Sequence, residues 1–158
     1  MIIAFTGFLQ SGKTTAAKAI KAERLSFAAE IKEIASFFQW NGKKDIRGRK
    51  LLQDIGKIGR DYNPHIWLDI VESLIQGMEI ADEECNTNTV VTLDDLRFTN
   101  EATMLKKYGA IIIKIVREGY NGDGTETEQG IPDSFVDYVI ENSGTIKELQ
   151  NKVLSVLR

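Results

Sequence analysis

The residues best suited to chemistry lie near the beginning of the chain, where glycine, lysine and threonine occur at a distinctive spacing. The segment Gly7-Phe8-Leu9-Gln10-Ser11-Gly12-Lys13-Thr14 matches the pattern G-x-x-x-x-G-K-[ST] in full. Glycines let a backbone approach an oxyanion closely, and successive N–H groups before a helix attract negative charge. Lys13 would add a positive charge for β- and γ-phosphates, and Thr14 would offer its hydroxyl to Mg²⁺. The segment therefore predicts a binding site for a nucleoside triphosphate.

The surroundings of this segment favour that interpretation over a glycine-rich turn with an accidental lysine. An apolar strand, Ile2–Phe5, leads into it, and a run with the spacing of a helix follows it. Thr15 is either a contact for the α-phosphate or an ordinary residue of the first helical turn, and the sequence does not decide between the two. We expect the nucleotide-binding residues to be Gly7, Gln10, Ser11, Gly12, Lys13, Thr14 and Thr15.

Two carboxylates and an arginine follow an apolar stretch in the middle of the chain. Asp94 and Asp95 come directly after the predicted strand Asn88–Leu93. A carboxylate at the C-terminal tip of a strand beside the phosphate loop can hold Mg²⁺, or it can cap a turn. Arg97 can neutralise a transferring phosphoryl group or bind an acceptor phosphate, or it can order its loop through an ion pair. We favour the functional interpretations, and choose Asp95 over Asp94 as the metal ligand because of its spacing to Arg97.

The chain as a whole alternates between strand-like and helical patterns, which is typical of an α/β protein with a parallel sheet. The predicted strands are Met1–Thr6, Arg24–Phe27, Asn88–Leu93, Ala110–Val116 and Phe135–Ile140. Apolar residues recur at helical spacing in four stripes: Phe27, Ile31, Ile34 and Phe38; Leu51, Ile55, Ile58 and Tyr62; Trp67, Ile70, Val71 and Leu74; and Ile146, Leu149, Val153 and Val156. Helix boundaries are predicted at Asn63-Pro64, at the capping-box pair Thr145 and Glu148, and at Gly109 after two lysines.

Length, charge and cysteine content narrow the possible classes further. The chain has 158 residues, and 20 Lys plus Arg against 23 Asp plus Glu give a net charge of −3. That length suits one domain, and the acidic balance argues against coating a nucleic-acid polymer. No apolar run approaches the roughly 20 residues that span a bilayer, and the start MIIAFTG lacks the features of an export signal. Since the single cysteine, Cys85, cannot form an internal disulfide, a cytoplasmic location is expected.

Some classes of nucleotide-binding protein are disfavoured by strings that the chain lacks. It has neither the N-K-x-D string with which GTPases usually recognise guanine nor the L-S-G-G-Q signature of transport ATPases. With 158 residues it has no room for the second domain of a motor. Small proteins with this phosphate loop and without those features are most often kinases of small molecules, so that class is expected.

The segment that begins at Asp95 is informative beyond its charges. Asp95-Leu96-Arg97-Phe98-Thr99-Asn100-Glu101-Ala102, with Tyr108-Gly109 and a strand that ends in Val116-Arg117, resembles the deoxynucleoside monophosphate kinases of bacteriophages. These are P-loop kinases related to adenylate kinase and dephospho-CoA kinase. Similar segments along essentially the whole chain are Ser26-Phe27-Ala28, Lys32-Glu33, Leu51-Leu52-Gln53, Gly56, Arg60, Ile66-Trp67, Ile131-Pro132-Asp133, Asp137-Tyr138-Val139-Ile140, Asn142 and Gly144-Thr145.

The resemblance implies transfer of the γ-phosphate of ATP to a (deoxy)nucleoside monophosphate, with Mg²⁺ as cofactor. It implies a three-layer α/β/α sandwich whose five parallel strands lie in the order 2-3-1-4-5. It also implies a single kinase domain over residues 1–158, with acceptor-binding helices at about 28–80 and a short lid at about 117–132. The expected partners are two small nucleotides, with no nucleic-acid polymer and no membrane, and the sequence leaves room for a homodimer.

Roles for individual residues follow from the same resemblance. The expected catalytic residues are Lys13, Asp95, Arg97 and Arg117, and the expected metal ligands are Thr14 and Asp95. The expected acceptor-binding residues are Gln53, Arg60, Trp67 and Arg97. Each of three has an ordinary alternative: Arg60 as an exposed helical arginine, Trp67 as a core residue, and Arg117 as a surface residue at a strand end.

The lid segment departs from the family pattern. Where the family tends to have His-x-Ser-Glu, this chain has Thr125-Glu126-Thr127-Glu128, and Arg117 is the only cation between residues 117 and 132. Its glycines, at 119, 122, 124 and 130, suit a flap that closes over the phosphates. The shortage of cations leaves two alternatives open: a different small-molecule kinase, such as one acting on dephospho-coenzyme A, and a nucleotide-binding module without turnover. The basic run Gly42–Lys50 is equally compatible with a binding patch and with a solvated loop.

Overall fold

A central sheet of five parallel strands carries the fold in the computed structural model, which describes residues 1–120, 124–125 and 128–158. The strands are β1 (Ile2–Thr6), β2 (Glu23–Leu25), β3 (Val91–Leu93), β4 (Ile111–Val116) and β5 (Tyr138–Glu141). They lie in the order β2-β3-β1-β4-β5, with every neighbouring pair parallel. The predicted α/β class and strand order are confirmed.

Helices connect the strands on both sides of the sheet. They are α1 (Lys13–Ala17), α2 (Ala29–Phe37), α3 (Ile46–Tyr62), α4 (Ile66–Cys85), α5 (Thr99–Lys107) and α6 (Ile146–Val156), with a short 3₁₀ helix at Asp133–Phe135. Within the described residues, none of these helices has both the length and the apolar character that crossing a membrane requires.

The core consists of two apolar clusters, one on each face of the sheet. Side chains alternate along a strand, so Ile3 and Phe5 of β1 belong to one cluster and Ile2 and Ala4 to the other. The first cluster is completed by α1 and α6 through Ala16, Ala17, Leu149 and Val153. The second is completed by α4 and α5 through Leu68, Val71, Ile75, Ala102 and Leu105. The strands are therefore buried on both faces, which confirms the three-layer sandwich.

All five strands are shorter than their apolar patterns predict, and for three of them the structure shows the reason. β3 begins at Val91 rather than Asn88, because the N–H of Thr89 donates to the Asp82 carboxylate at 2.7 Å instead of joining the sheet. β2 ends at Leu25 because the next residues turn toward Asp95. β5 covers Tyr138–Glu141, because the 3₁₀ helix takes up the beginning of the predicted strand Phe135–Ile140.

Two of the three predicted helix boundaries are confirmed. At the start of α6 the N–H of Glu148 donates to Thr145 Oγ1 at 3.2 Å, and the Glu148 carboxylate accepts from the Thr145 N–H at 2.6 Å. Gly109 follows α5 with φ of +67°. The prediction at Asn63-Pro64 is wrong, because α4 begins only at Ile66; Asn63 Oδ1 accepts from the His65 N–H at 3.0 Å and forms a turn between α3 and α4.

The apolar stripe predicted on α3 is only partly buried. Ile58 and Tyr62 are exposed. The reason is that α3 presents Gln53 and Gly56 to a cleft, and at 100° per residue Ile58 lies about 200° from Gly56. Exposure of Ile34, Phe38, Leu74 and Ile146 shortens the other three stripes in the same way. Helical spacing thus predicted the helices correctly and the buried face in part, since Ile31, Val71 and Val153 are buried as predicted.

Candidate active site

A large cleft of about 900 Å³ lies where β1 and β3 end and the following loops begin. Ligands of parallel α/β sheets characteristically bind at this edge. Most of the residues expected from the sequence line it: Gln10, Gly12, Lys13, Thr14, Thr15, Gln53, Arg60, Trp67, Asp95, Arg97 and Arg117. Gly7 and Ser11 belong to the loop between β1 and α1 but do not line this cleft.

The loop between β1 and α1 has the conformation that its glycines were expected to allow. Gly7 has φ of +131° and Gly12 φ of +109°, values that L side chains rarely adopt. A Cβ atom on Gly7 would lie 2.2 Å from the main-chain oxygen of Ile115, and one on Gly12 would lie 2.6 Å from Asn142 Nδ2. Asn142 Nδ2 also donates to the Ser11 main-chain oxygen at 2.8 Å, so the end of β5 holds the loop in place.

Lys13 is buried at the start of α1, with its charge directed back onto the loop. Its Nζ donates to the main-chain oxygens of Gly7 and Phe8 at 2.6 and 2.7 Å. Burial, and to a smaller extent the neighbouring Arg97, lower the pKa of Lys13 to about 7, while Asp94 and Asp95 act in the opposite direction. An anion that replaced the two carbonyl groups would favour the charged form of this lysine.

Asp94 and Asp95 have different partners although they are adjacent. Asp94 Oδ2 forms an ion pair with Arg24 at 2.8 Å. The Asp95 carboxylate accepts from Ser26 Oγ at 2.6 Å and from the N–H groups of Ala28 and Phe27 at 3.0 and 3.3 Å. Asp95 therefore places an anion at the N-terminus of α2, where it is favourable. Sequence reasoning did not foresee this contact between the tip of β3 and the start of α2.

Arg97 forms an ion pair with Glu128, a residue that the sequence marked only as part of an acidic lid. The other oxygen of Glu128 accepts from the Leu9 N–H in the phosphate loop at 2.5 Å. The ion pair considered as an alternative for Arg97 is therefore present, and Arg97 nevertheless lines the cleft.

Glu101 is buried beneath the same turn. One of its oxygens accepts from the N–H groups of Arg97 and Phe98 at 2.8 and 3.0 Å, which fixes the backbone that carries Arg97. Burial raises the pKa of Glu101 to about 8, although the two N–H donors act to lower it.

We expect the free energy of unfolding to fall as the pH rises from about 4.5 to 8, because the folded protein keeps a proton on Glu101 that the unfolded chain releases. Glu101→Gln should remove this part of the pH dependence. The control is Glu83→Gln, which should not remove it because Glu83 is exposed on the surface of α4. Urea denaturation at a series of pH values measures the difference. Identical pH profiles for wild type and Glu101→Gln would contradict the expectation.

The far wall of the cleft is formed by α2, α3 and the beginning of α4. Trp67 packs against α3 and its Nε1 donates to the Gly56 main-chain oxygen at 3.0 Å, so it is a core residue that also lines the cleft. The Arg60 guanidinium lies over the Phe98 ring, 4.4 Å from its centroid. Phe27, Ile31 and Leu52 add apolar surface to this wall.

The basic run contributes to the cleft, which sequence reasoning left undecided. Lys44 and Arg49 line the cleft together with Lys32. Partial desolvation and the charge of Lys32 lower the pKa of Lys44. Lys50, by contrast, forms an exposed ion pair with Asp54. The high density of cations in Gly42–Lys50 suggested a binding patch as one possibility. The sequence could not show that Lys44 and Arg49 line the cleft while Lys50 does not.

Arg117 lies at the mouth of the cleft, after β4. Its Nη1 donates to the Gln10 main-chain oxygen at 3.4 Å, and its guanidinium lies 4.7 Å from the centroid of the Tyr120 ring. Parts of the predicted lid, Gly122, Asp123, Glu126 and Thr127, lie outside the described residues. Among the residues that are described, no group of three or more His, Cys, Asp or Glu side chains is arranged to hold a metal ion.

Comparisons with known proteins relate the chain to a family. A family model described as deoxynucleotide monophosphate kinase matches residues 28–153. A putative deoxynucleotide monophosphate kinase of Acanthamoeba polyphaga mimivirus is 28% identical, with 98% of this chain and 95% of that protein covered. The deoxynucleotide monophosphate kinase of Enterobacteria phage T4 is 26% identical, with 84% of this chain and 57% of that protein covered.

The fold is also found in more distant proteins. A sugar kinase from Janibacter sp. HTCC2649 superposes with a TM-score of 0.52 at 16% identity, and 99% of this chain and 93% of that one are covered. The family match begins after the phosphate loop, so loop and family are two separate indications that meet at one cleft. Because the match extends over most of the sequence, the chain belongs to the deoxynucleotide monophosphate kinase family of phosphotransferases.

Proposed function

We propose that the cleft transfers the γ-phosphate of ATP to a deoxynucleoside monophosphate. The observation that carries this proposal is the meeting, in one cleft, of the phosphate loop around Lys13, the Arg97 turn and the wall built by α2 and α3. The family to which the chain belongs supports it.

ATP would bind through the loop between β1 and α1. The N–H groups at the beginning of α1 supply donors for phosphate oxygens, and the dipole of the helix favours their charge. Lys13 would exchange the main-chain oxygens of Gly7 and Phe8 for those of the β- and γ-phosphates. Since its pKa in the free protein is about 7, binding of the polyphosphate should draw a proton onto Lys13.

The acceptor would bind against α2 and α3. Phe27, Ile31 and Phe98 offer apolar surface for a base, and Gln53 offers an amide for its polar edge. Arg60, held over Phe98, and Arg97 offer cations for the monophosphate.

The reaction itself requires little covalent work from the protein. An oxygen of the acceptor monophosphate forms a bond to the γ-phosphorus while the bond from that phosphorus to the β-phosphate oxygen breaks, which releases ADP. Lys13 and Arg97 would neutralise the charge on the phosphoryl group during transfer. Arg117, at the mouth of the cleft, is a further cation for this purpose.

The residues around the loop fit a magnesium ion. Mg²⁺ is usually bound by one or two carboxylates together with substrate phosphates rather than by an all-protein cage. Thr14 and the two aspartates at the tip of β3 line the same cleft and supply such donors. We propose Thr14 and Asp95 as the residues that hold the ion, whose charge would offset that of the phosphates when it is bound.

We expect Asp95→Asn to raise the Mg²⁺ concentration for half-maximal activity by roughly tenfold or more. Asp94→Asn is the matched control variant. Asp94 is the neighbouring carboxylate, and it pairs with Arg24, whereas Asp95 accepts hydrogen bonds at the start of α2. Magnesium titrations of activity measure both, and circular dichroism checks that each variant is folded. If Asp94→Asn has the larger effect, Asp94 is the metal residue and our choice of Asp95 is wrong.

The activity is tested by a coupled assay for ADP with ATP and a panel of deoxynucleoside and nucleoside monophosphates. We expect ADP formation that depends on an added monophosphate. Dephospho-coenzyme A belongs in the panel, because transfer to it alone would assign the chain to another kinase activity. Tight binding of ATP without transfer to any acceptor would contradict the proposal and favour a nucleotide-binding module.

We further propose that the protein works in the cytoplasm and as a homodimer. The exposed free thiol of Cys85 suits a reducing compartment. Phe37 and Ile46, which are 82% and 89% exposed around the turn between α2 and α3, provide apolar surface for a second copy. Sedimentation of the purified protein measures the oligomeric state.

A further inference from the structure

Glu128 is buried, unlike Arg117 and Glu118, the other charged residues of the lid segment that the structure describes. Its side chain is 4% exposed, whereas Glu118 in the same segment is exposed. It lines both the cleft and a small cavity of about 50 Å³. A buried carboxylate is costly unless it is well paired, so its partners indicate what it does.

Both oxygens of Glu128 have partners, and each partner belongs to the proposed phosphate site. One oxygen accepts from the Leu9 N–H at 2.5 Å, and the other pairs with the Arg97 guanidinium. Glu128 thereby connects the phosphate loop, the lid segment and the turn after β3, three parts of the chain that are far apart in the sequence.

Among the described residues, partners hold both the main chain and the side chain of Arg97. Glu101 fixes its main-chain N–H, and Glu128 fixes its guanidinium. The Arg97 side chain remains 23% exposed and lines the cleft, so this restraint leaves part of the side chain accessible to a ligand. An arginine held in this way keeps its charge at a fixed place, which matters because misplacement by an ångström can cost about a hundredfold in rate.

We propose that Glu128 is a positioning residue for phosphoryl transfer, which holds the Arg97 guanidinium in register with the phosphate loop. This inference rests on the proposed function, in which Arg97 contacts the phosphoryl group. The proposal also gives the acidic lid segment a role in phosphoryl transfer. The segment has few cations of its own, but its Glu128 orients Arg97, a cation that the turn after β3 supplies.

The direct test is Glu128→Gln, which keeps an oxygen for the Leu9 N–H and removes the charge that holds Arg97. We expect kcat to fall by roughly 10- to 100-fold and KM for ATP to change by less than about threefold. The matched control is Asp133→Asn, which removes an ion pair with Lys114 (2.7 Å) from an 81% exposed carboxylate a few residues later. Its kcat should equal that of the wild type, and thermal melts establish that both variants are folded.

The same substitution in an Arg97→Ala background separates positioning from a general effect on the fold. If Glu128 acts through Arg97, Glu128→Gln should lower kcat by less than about threefold in that background. An equal loss in both backgrounds would overturn the proposal, because Glu128 would then act on something other than Arg97. Tighter ATP binding with unchanged kcat would overturn it too, since Glu128 would then compete with phosphate.

A readout without catalysis keeps this inference apart from the proposed function. In ¹⁵N-arginine NMR spectra, the Arg97 side-chain signal, assigned with Arg97→Lys, should shift or broaden in Glu128→Gln and stay unchanged in Asp133→Asn. An unchanged Arg97 signal in Glu128→Gln would refute the positioning role even if the enzyme is fully active. A wild type with the expected NMR behaviour but no transfer to any monophosphate would instead refute the proposed function.

Discussion

Lys13→Met is expected to lower kcat for phosphoryl transfer by about 10²- to 10³-fold, because it removes a cation aimed at the charge that develops on the phosphoryl group. Methionine retains the apolar stem of the buried lysine, so the loop should keep its packing. The control is Lys18→Met, since Lys18 is an exposed lysine at the end of α1. This variant should leave kcat unchanged.

The same variant has a characteristic effect on stability. The pKa of Lys13 is lowered from 10.5 to about 7 by burial, so between these values the unfolded chain binds more protons than the folded protein. Stability of the wild type should therefore rise with pH across that window, and Lys13→Met should lack this rise. Denaturant unfolding at pH 7 and pH 9 compares the two proteins.

Calorimetry provides a third measurement of Lys13. At pH 8, binding of ATP to the wild type should take up protons, which is detected by titrating in two buffers of different ionisation enthalpy. Lys13→Met should bind ATP without that uptake. If Lys13→Met retains more than a tenth of the wild-type kcat, the phosphate loop does not have the proposed role in the mechanism, whatever the result of the calorimetry.

Gly7→Ala is expected to cost about 3 kcal/mol or more of folding stability and to abolish stabilisation by ATP. Its methyl group would lie 2.2 Å from the main-chain oxygen of Ile115, which β4 holds rigidly, and 3.0 Å from Ser11 Oγ. The backbone must shift to relieve this overlap, and the shift displaces the loop that binds phosphate.

Gly109→Ala isolates the backbone part of this cost. Gly109 also has a positive φ, +67°, but no atom lies within 4 Å of an added Cβ. We expect it to cost about 1 kcal/mol and to leave ATP binding intact. Chemical denaturation with and without ATP measures both variants, and similar losses for the two would show that the contact with Ile115 does not constrain the loop.

The parts of this molecule that could be predicted from sequence are those encoded by local patterns. The spacing of Gly7, Gly12 and Lys13 predicted the phosphate loop, and resemblance to a family predicted the strand order. The burial of α3 could not be predicted, because Ile58 has the spacing of a core residue while Gly56 and Gln53 face a cleft that other elements create.

Contacts between distant segments escaped sequence reasoning for a related reason. Glu128 is one acidic residue among several in its segment, and no local pattern shows that Arg97 and Leu9 surround it. Asp95 was selected for its spacing to Arg97, whereas its hydrogen bonds go to residues 26–28, which come near only when β2 and β3 pair. Such contacts depend on the assembled sheet, and so they become visible only in three dimensions.

Both tryptophans of the chain lie in the part of the sequence that runs from α2 to the beginning of α4. Trp67 is packed into the wall built by α3, and Trp40 donates its Nε1 hydrogen to the Lys43 main-chain oxygen at 2.9 Å, next to the cleft-lining Lys44. Tryptophan fluorescence therefore reports on the side of the protein where a monophosphate would bind. We expect binding of the second substrate to change this fluorescence, which would allow its occupancy to be followed in the unlabelled protein, without turnover and without a dye.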